Sequence, residues 1–289
     1  MEPGDAQWLF CHVDPGHDGT LSCHGLGEDA APATDVKNPE AVQRHALSNV
    51  VESQWVDLVE GAEIDKFDAL AARWWDPEGD FRPLHEINPL RLDWILQGTK
   101  LAGRRVVDIG CGGGILTEAM AEAGATVTGI DMAEGPLTVA RLHQLESGIA
   151  VDYRQTTAED LATERPGEFD VVTCLEMLEH VPHPYDVIRS CRTLVKPGGD
   201  VFFSTINRNP KSFVFAIVGA EYVLKLLPVG THEYRKFIRP SELDAWAREA
   251  GLRLVSSIGL LYNPFTREFS LGENLDVNYL MHFRRPASE

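Results

Sequence analysis

The sequence predicts an α/β domain on a doubly wound, mostly parallel sheet, and three observations carry that prediction. Residues 105–131 read RVVDIGCGGGILTEAMAEAGATVTGID: a strand, a glycine turn, a helix, and a second strand closing on an acidic residue. Apolar runs at 151–154, 169–174, 200–206, 252–258 and 276–283 bring the expected strands to seven, with helical segments at 185–194 and 240–250 between them. The chain of 289 residues is 44% apolar, enough for one large domain with appendages.

Composition narrows the function classes. With 26 basic against 44 acidic residues the net charge is -18, which argues against a general nucleic-acid binder, because phosphate neutralisation needs a basic face. Cysteines 11, 23, 111, 174 and 191 form no C-x-x-C pair, as expected in a reducing compartment. No apolar run approaches the roughly eighteen residues of a membrane span. Residues 1–36 hold no Lys or Arg, unlike a secretory or mitochondrial leader, so a cytoplasmic location is expected.

Residues 1–36 are rich in Gly, Pro, Asp and Ala and are expected to be a disordered leader, whose Cys11-His12, His17 and Cys23-His24 match no zinc spacing. Residues 37–104 are expected to form a helical cap, with Ile64, Phe67, Leu70, Ala71 and Trp74 at three- and four-residue steps. The stretch 81–91, FRPLHEINPLR, mixes prolines with His85, Asn88 and Arg91 and reads as loop and capping chemistry ahead of a helix over 90–97.

The glycine turn carries the first chemistry. A loop without side chains brings backbone close to a ligand, and the following helix offers unpaired N–H groups and its positive dipole end. Asp131, at the carboxyl end of the second strand, can accept both hydroxyls of a ribose, so the unit suits an adenosine-bearing ligand. The dinucleotide pattern G-x-G-x-x-G needs glycine where Ile115 or Thr117 stands, and fails. What stands there is D-x-G-x-G-x-G, carried by Asp108, Gly110, Gly112 and Gly114. This resembles the first motif of the class I S-adenosylmethionine-dependent methyltransferases, a Rossmann-like fold, although another nucleotide on an ordinary glycine turn is compatible with it.

After the third strand, Ala158-Glu159-Asp160 can reach an adenine amino group or cap the next helix. The fourth strand ends in LEMLEH, residues 175–180. A helix there would set Glu176, Glu179 and His180 on one face, where they can hold a divalent ion such as Mg²⁺, serve as a general base, or simply sit at a positive helix end. Lys196 to Gly199 reads as a turn, and Ser241 as the cap of the helix over 240–250. The 207–239 insertion combines an apolar stretch with Arg208, Lys211, Lys225, Arg235, Lys236 and Arg239 against Glu221 and Glu233. Contact with a membrane surface accounts for both features, whereas a lid packed on the core accounts for the apolar residues alone.

KFDALAARWWD at 66–76, PLHEINPLR at 83–91, VVDIGCGGGIL at 106–116, TCLEMLEHV at 173–181 and VGAEYVL at 218–224 together resemble the ubiquinone biosynthesis O-methyltransferase family over about 64–283. The resemblance implies methyl transfer from S-adenosylmethionine to ring hydroxyls of polyprenylated phenol and quinol substrates, at both O-methylation steps. It implies cofactor contacts by Arg91, Gly110, Asp131 and Leu175, a divalent ion on Glu176, Glu179 and His180, and a membrane-facing insertion at 207–239. Other enzymes of the pathway are expected partners, and a peripheral place on the inner membrane is expected. Leu175 stands where the family has methionine, and residues 1–36 have no counterpart. A non-catalytic cofactor-binding scaffold, or a methyltransferase of another polyprenyl or small aromatic acceptor, are the competing readings.

Overall fold

The computed structural model describes residues 73–79, 81–212 and 234–287. The expected leader, most of the helical cap and the 213–233 part of the insertion lie outside the described residues. The first long helix is α1 (Arg82–Gly98), which corrects the expected loop at 81–91: Pro83 falls in the first helical turn, where its missing N–H costs nothing, and Pro89 is on the exposed side. Burial of Ile87, Arg91, Trp94 and Ile95 holds the helix through Pro89.

The core alternates strands and helices: β1 (Arg105–Ile109), α2 (Ile115–Glu122), β2 (Thr126–Asp131), α3 (Glu134–Ser147), β3 (Val151–Gln155), α4 (Ala158–Glu164) and β4 (Phe169–Leu175). A 3-10 turn (Leu178–His180) follows, then α5 (Pro184–Leu194), β5 (Val195–Ile206), a second 3-10 turn (Tyr234–Lys236), α6 (Pro240–Glu249), β6 (Arg253–Asn263), β7 (Glu268–Gly272) and β8 (Asn278–Arg284). The sheet has eight strands in the order β3-β2-β1-β4-β5-β8-β6-β7, one more than expected. The five strands β1 to β5 run parallel, while β8 is antiparallel to both β5 and β6. The extra strand comes from a hairpin whose turn the apolar pattern hides: Asn263 Oδ1 accepts the Phe265 N–H at 2.9 Å and Arg267 takes φ +60°.

Both faces of the central strands are apolar, as a covered parallel sheet requires. Val107, Ile109, Val172, Cys174, Val201 and Phe203 pack with α4, α5 and α6, while Val106, Val171, Leu175 and Phe202 pack with α1 and α2 on the other face. Lys196 to Gly199 is taken up as an irregularity inside β5, between the pairs Phe169↔Val195 and Val171↔Asp200. The cap of α6 is not Ser241: Pro240 occupies the first helical position, and Glu242 Oε2 reaches back to the Arg239 N–H at 3.0 Å. No helix among the described residues is long and apolar enough to cross a membrane.

Asp200 ties β5 to β8, accepting from His282 Nε2 at 2.8 Å and Arg284 Nε at 2.8 Å. Burial alone would raise its pKa, but these two bonds outweigh it and hold the carboxyl below its ordinary value. A depressed carboxylate adds stability above its unfolded pKa and loses it as pH falls through the folded one. Asp200→Asn is therefore expected to lower stability at neutral pH and to flatten the decline between about pH 5 and about pH 2 in urea titrations. An unchanged acid limb would show that Asp200 contributes nothing to it.

Candidate active site

The crevice opens at the carboxyl ends of β1, β2 and β4, where the strand order reverses between β1 and β4, the position at which open α/β sheets bind ligands. Asp108, only 3% exposed, anchors it. Its Oδ2 accepts from Thr117 Oγ1 of α2 at 2.6 Å and its Oδ1 from Thr173 Oγ1 of β4 at 2.7 Å. Burial pushes this carboxyl up and the two hydroxyls pull it back, with the net direction upward.

The turn leaving Asp108 runs through left-handed backbone at Gly110, Gly112 and Gly114. Two of these positions exclude any larger residue. A Cβ on Gly110 would stand 2.7 Å from Met177 Cγ, and one on Gly114 would meet the Tyr153 hydroxyl at φ +88°. Asp131 closes the loop from the end of β2: Oδ2 accepts the Gly112 N–H at 2.9 Å and Oδ1 the Ala133 N–H at 2.9 Å. Each oxygen keeps a further lone pair for a hydroxyl. Trp75 Nε1 fastens the turn from outside, donating to the Gly113 carbonyl at 3.0 Å, and stacks on His143 at 3.4 Å between centroids.

The other wall begins where β4 ends. Leu175 is buried at the last position of the strand, and Glu176 turns the chain through φ +53°, a conformation that costs a non-glycine residue about 1 kcal/mol or more. That strain persists because Glu176 is held on all sides. Its Oε1 accepts from Ser204 Oγ at 2.6 Å and lies 3.2 Å from Arg91 Nη2, its Oε2 accepts from Asn278 Nδ2 at 3.1 Å, and its N–H bonds the Ser204 carbonyl at 3.0 Å. The expected helical face is thereby corrected: Glu176 lies outside the short 3-10 turn, Glu179 points into the core, and His180 is exposed. Glu179 accepts from Thr205 Oγ1 at 2.8 Å, and burial, reinforced by the neighbouring Glu176 charge, pushes it up to about 8. Among the described residues no three His, Cys, Asp or Glu side chains converge to hold a metal ion. What stands there is a crowded carboxylate pair that needs a proton or a cation between its members.

A cavity of about 770 Å³ brings Gly110 and Asp131 together with Glu176, Met177 and His180, and Glu159 and the 63% exposed Met132 also line it. Thr157 rather than an acidic residue caps α4, accepting the Asp160 N–H at 3.0 Å, which leaves Glu159 on the wall. Asp108, Gly112, Gly114, Arg91, Leu175 and Glu179 stand behind that surface. Sequence reasoning missed Thr117, Thr173, Ser204 and Asn278, which hold the acidic groups from distant elements. It named His85, Asn88 and Arg91 but read them as loop chemistry rather than as a stripe on α1, where His85 bonds the Trp74 carbonyl, Asn88 the Ile115 carbonyl, and Arg91 meets Glu176. Their three-residue spacing is the signal that could have found them.

Fold and site define a class I methyltransferase, and the family model described as "Methyltransferase domain" matches residues 84–257. The chain of the magnesium protoporphyrin IX methyltransferase from Synechocystis PCC 6803 with bound SAH is similar at a TM-score of 0.55 and 18% identity, over 76% of this chain and 94% of that one. Among curated sequences, the ubiquinone biosynthesis O-methyltransferase of Pseudomonas aeruginosa PAO1 is 67% identical over 229 residues, 79% of this chain and 99% of its own. That of Azotobacter vinelandii is 68% identical over 223 residues, 77% of this chain and 96% of its own. The chain belongs to the ubiquinone biosynthesis O-methyltransferases.

Asp131 offers the direct test of the cofactor wall. Each hydrogen bond to a charged acceptor contributes about 1.5–3 kcal/mol, so Asp131→Ala is expected to weaken S-adenosylmethionine binding by about tenfold or more in calorimetry. Affinity equal to wild type would rule out a contact between Asp131 and the cofactor's ribose.

Proposed function

We propose that the enzyme moves the methyl group of S-adenosylmethionine onto a ring hydroxyl of polyprenylated phenol, catechol and quinol intermediates, at both O-methylation steps of ubiquinone biosynthesis, the conversion of 3-demethylubiquinol to ubiquinol included. The observation that carries this reading is one cavity with the glycine loop and Asp131 on one wall and Glu176 and His180 on the other. The phenolic oxygen attacks the sulfonium methyl, the S–CH₃ bond breaks, and the ring oxygen's proton leaves for a protein group. Alignment in a dry crevice does most of the work.

The Glu176–Glu179 pair is where that proton goes. Burial keeps a proton on the pair below about 8, so it accepts the ring proton only in its ionised form, which lies within about two units of a phenol near 10. The resemblance proposes Glu176, Glu179 and His180 as holders of a divalent ion such as Mg²⁺, but the structure gives them no common point, since Glu179 faces the core and His180 the solvent, so holding an ion would require them to rearrange. Such an ion, when bound, polarises the hydroxyl and lowers its pKa. Arg91, Gly110 and Leu175 belong on the cofactor side of this reading. Leu175 gives apolar packing in place of methionine at small cost.

The 207–239 insertion is proposed to meet a membrane surface. Arg208 pairs with Glu242, and Arg235, Lys236 and Arg239 lie on the exposed surface. A cytoplasmic enzyme peripheral on the inner membrane, beside the other enzymes of the pathway, fits this charge and a polyprenylated substrate.

Glu179→Gln is expected to keep cofactor affinity and lower kcat by about 10²- to 10⁴-fold on a short-chain catechol. Chelation should stop turnover and Mg²⁺ restore it; turnover indifferent to chelator removes the ion from the account. Ring-carbon labelling by methyl-labelled cofactor would overturn the O-methylation reading.

A further inference from the structure

Two tryptophans that take no part in the cavity lining lie against the glycine turn. A Cβ on Gly112 would stand 3.2 Å from the Trp74 ring, and Gly113 has no room for one beside the same indole. Trp75 supplies the polar hold, its Nε1 donating to the Gly113 carbonyl at 3.0 Å. The other hydrogen bonds of the turn stay within the β1–α2–β2 unit: Gly110 and Cys111 donate to the Ile130 carbonyl, Gly112 to Asp131 and Gly114 to the Cys111 carbonyl. Among the described residues, Trp75 is therefore the one group from outside the unit that hydrogen-bonds the turn.

What seats Trp75 is α3. His143 stacks on its indole with ring centroids 3.4 Å apart and planes 2° from parallel, while His85 of α1 meets it edge-on at 5.9 Å. His143 is itself held. Its Nδ1 lies 2.9 Å from Glu118 Oε2, which also accepts from Ser147 Oγ at 3.0 Å. His143 and Ser147 are one helical turn apart on α3, so both reach the same oxygen. A carboxylate can only accept, so Nδ1 carries a proton and the imidazole has a fixed plane. Glu118, 2% exposed, sits on the helix that leaves the turn, and its own N–H donates to the Gly114 carbonyl at 2.8 Å. Two apolar side chains would close this space at no desolvation cost, but they would not set the angle of a ring.

We infer that His143, oriented by Glu118 and Ser147, is a positioning residue for the cofactor: it seats the Trp75 indole so that Nε1 grips the Gly113 carbonyl and keeps the glycine turn in its binding shape. The inference rests on S-adenosylmethionine being the ligand of that turn. A loop already fixed in its bound form spends less of the binding free energy on ordering, so the effect of the latch is on cofactor affinity.

The experiment measures S-adenosylmethionine binding by calorimetry, and turnover of a short-chain catechol, with the full-length enzyme. His143→Asn keeps a donor near the place of Nδ1 for Glu118 and removes the ring. It is expected to weaken cofactor binding by about fivefold to tenfold, with the loss in cofactor KM and not in kcat at saturating cofactor. Trp75→Phe, which keeps a stacking face and removes the N–H, should lose about as much. The double variant should be no weaker than Trp75→Phe alone, because His143 acts through that N–H. His143→Gln gives the same reading if the asparagine variant does not fold. Affinity equal to wild type in both amide variants, losses that multiply in the double variant, or a fall in kcat at unchanged affinity overturns the role of His143 alone. Wild type that does not bind S-adenosylmethionine overturns the proposed function and this inference with it.

Discussion

Asp108 is the constraint on which the site depends. A carboxyl at 3% exposure, between two strands of a parallel sheet, is an expensive residue to keep, and two threonine hydroxyls at 2.6 and 2.7 Å make it tolerable. Those hydroxyls come from α2 and β4, so a single side chain of β1 fixes the element that follows the glycine turn and the strand that ends in Glu176. Because the carboxyl has no other place to go, the turn's backbone direction is set before any ligand arrives. Loss of either hydroxyl would leave one oxygen buried and unpaired, and the preference of β1 for its neighbours would weaken with it.

Two halves with different physics follow from that anchor. On the β1–β2 side the chemistry is backbone: glycine N–H groups, the helix start at Ile115, and Asp131 holding the loop in a shape that side chains larger than hydrogen would block. On the β4–β5–β8 side it is side-chain chemistry, with Glu176 strained, crowded by Glu179, and stitched to Ser204 and Asn278 from strands distant in sequence. The first half is common to the fold. The fold by itself settles no reaction. Chemistry specific to this chain has to reside in the second half.

That division explains what could be read from the sequence. The glycine turn, Asp108 and Asp131 were legible because each belongs to one contiguous βαβ unit whose spacing is fixed by local geometry. The strands were legible because both faces are covered and the apolar runs are unbroken. Glu176, Glu179 and His180 were legible as a group but not in arrangement. Helical spacing assumes regular backbone, and the left-handed turn at Glu176 is set by Ser204 and Asn278, 28 and 102 residues away. The α1 stripe was misread because Pro83 and Pro89 signal a break that tertiary burial overrides. The seventh strand in chain order was missed because an Asx turn at Asn263, not an apolar run, defines it.

The insertion can be placed by its feet. On one side the Asn207 N–H bonds the Val277 carbonyl at 2.8 Å and Asn209 Nδ2 bonds the Asp276 carbonyl at 2.5 Å. On the other the Ile238 N–H bonds the Ile206 carbonyl at 3.0 Å. Both ends of the segment are therefore rooted within a residue or two of Asn278 and of the end of β5, on the acceptor half and away from the glycine loop. Under the proposed reading, a ring held at Glu176 would bring its prenyl chain past these roots. The strands that carry Asp131 and the glycine turn pair with one another and with β3 and β4, not with the strands that hold these roots.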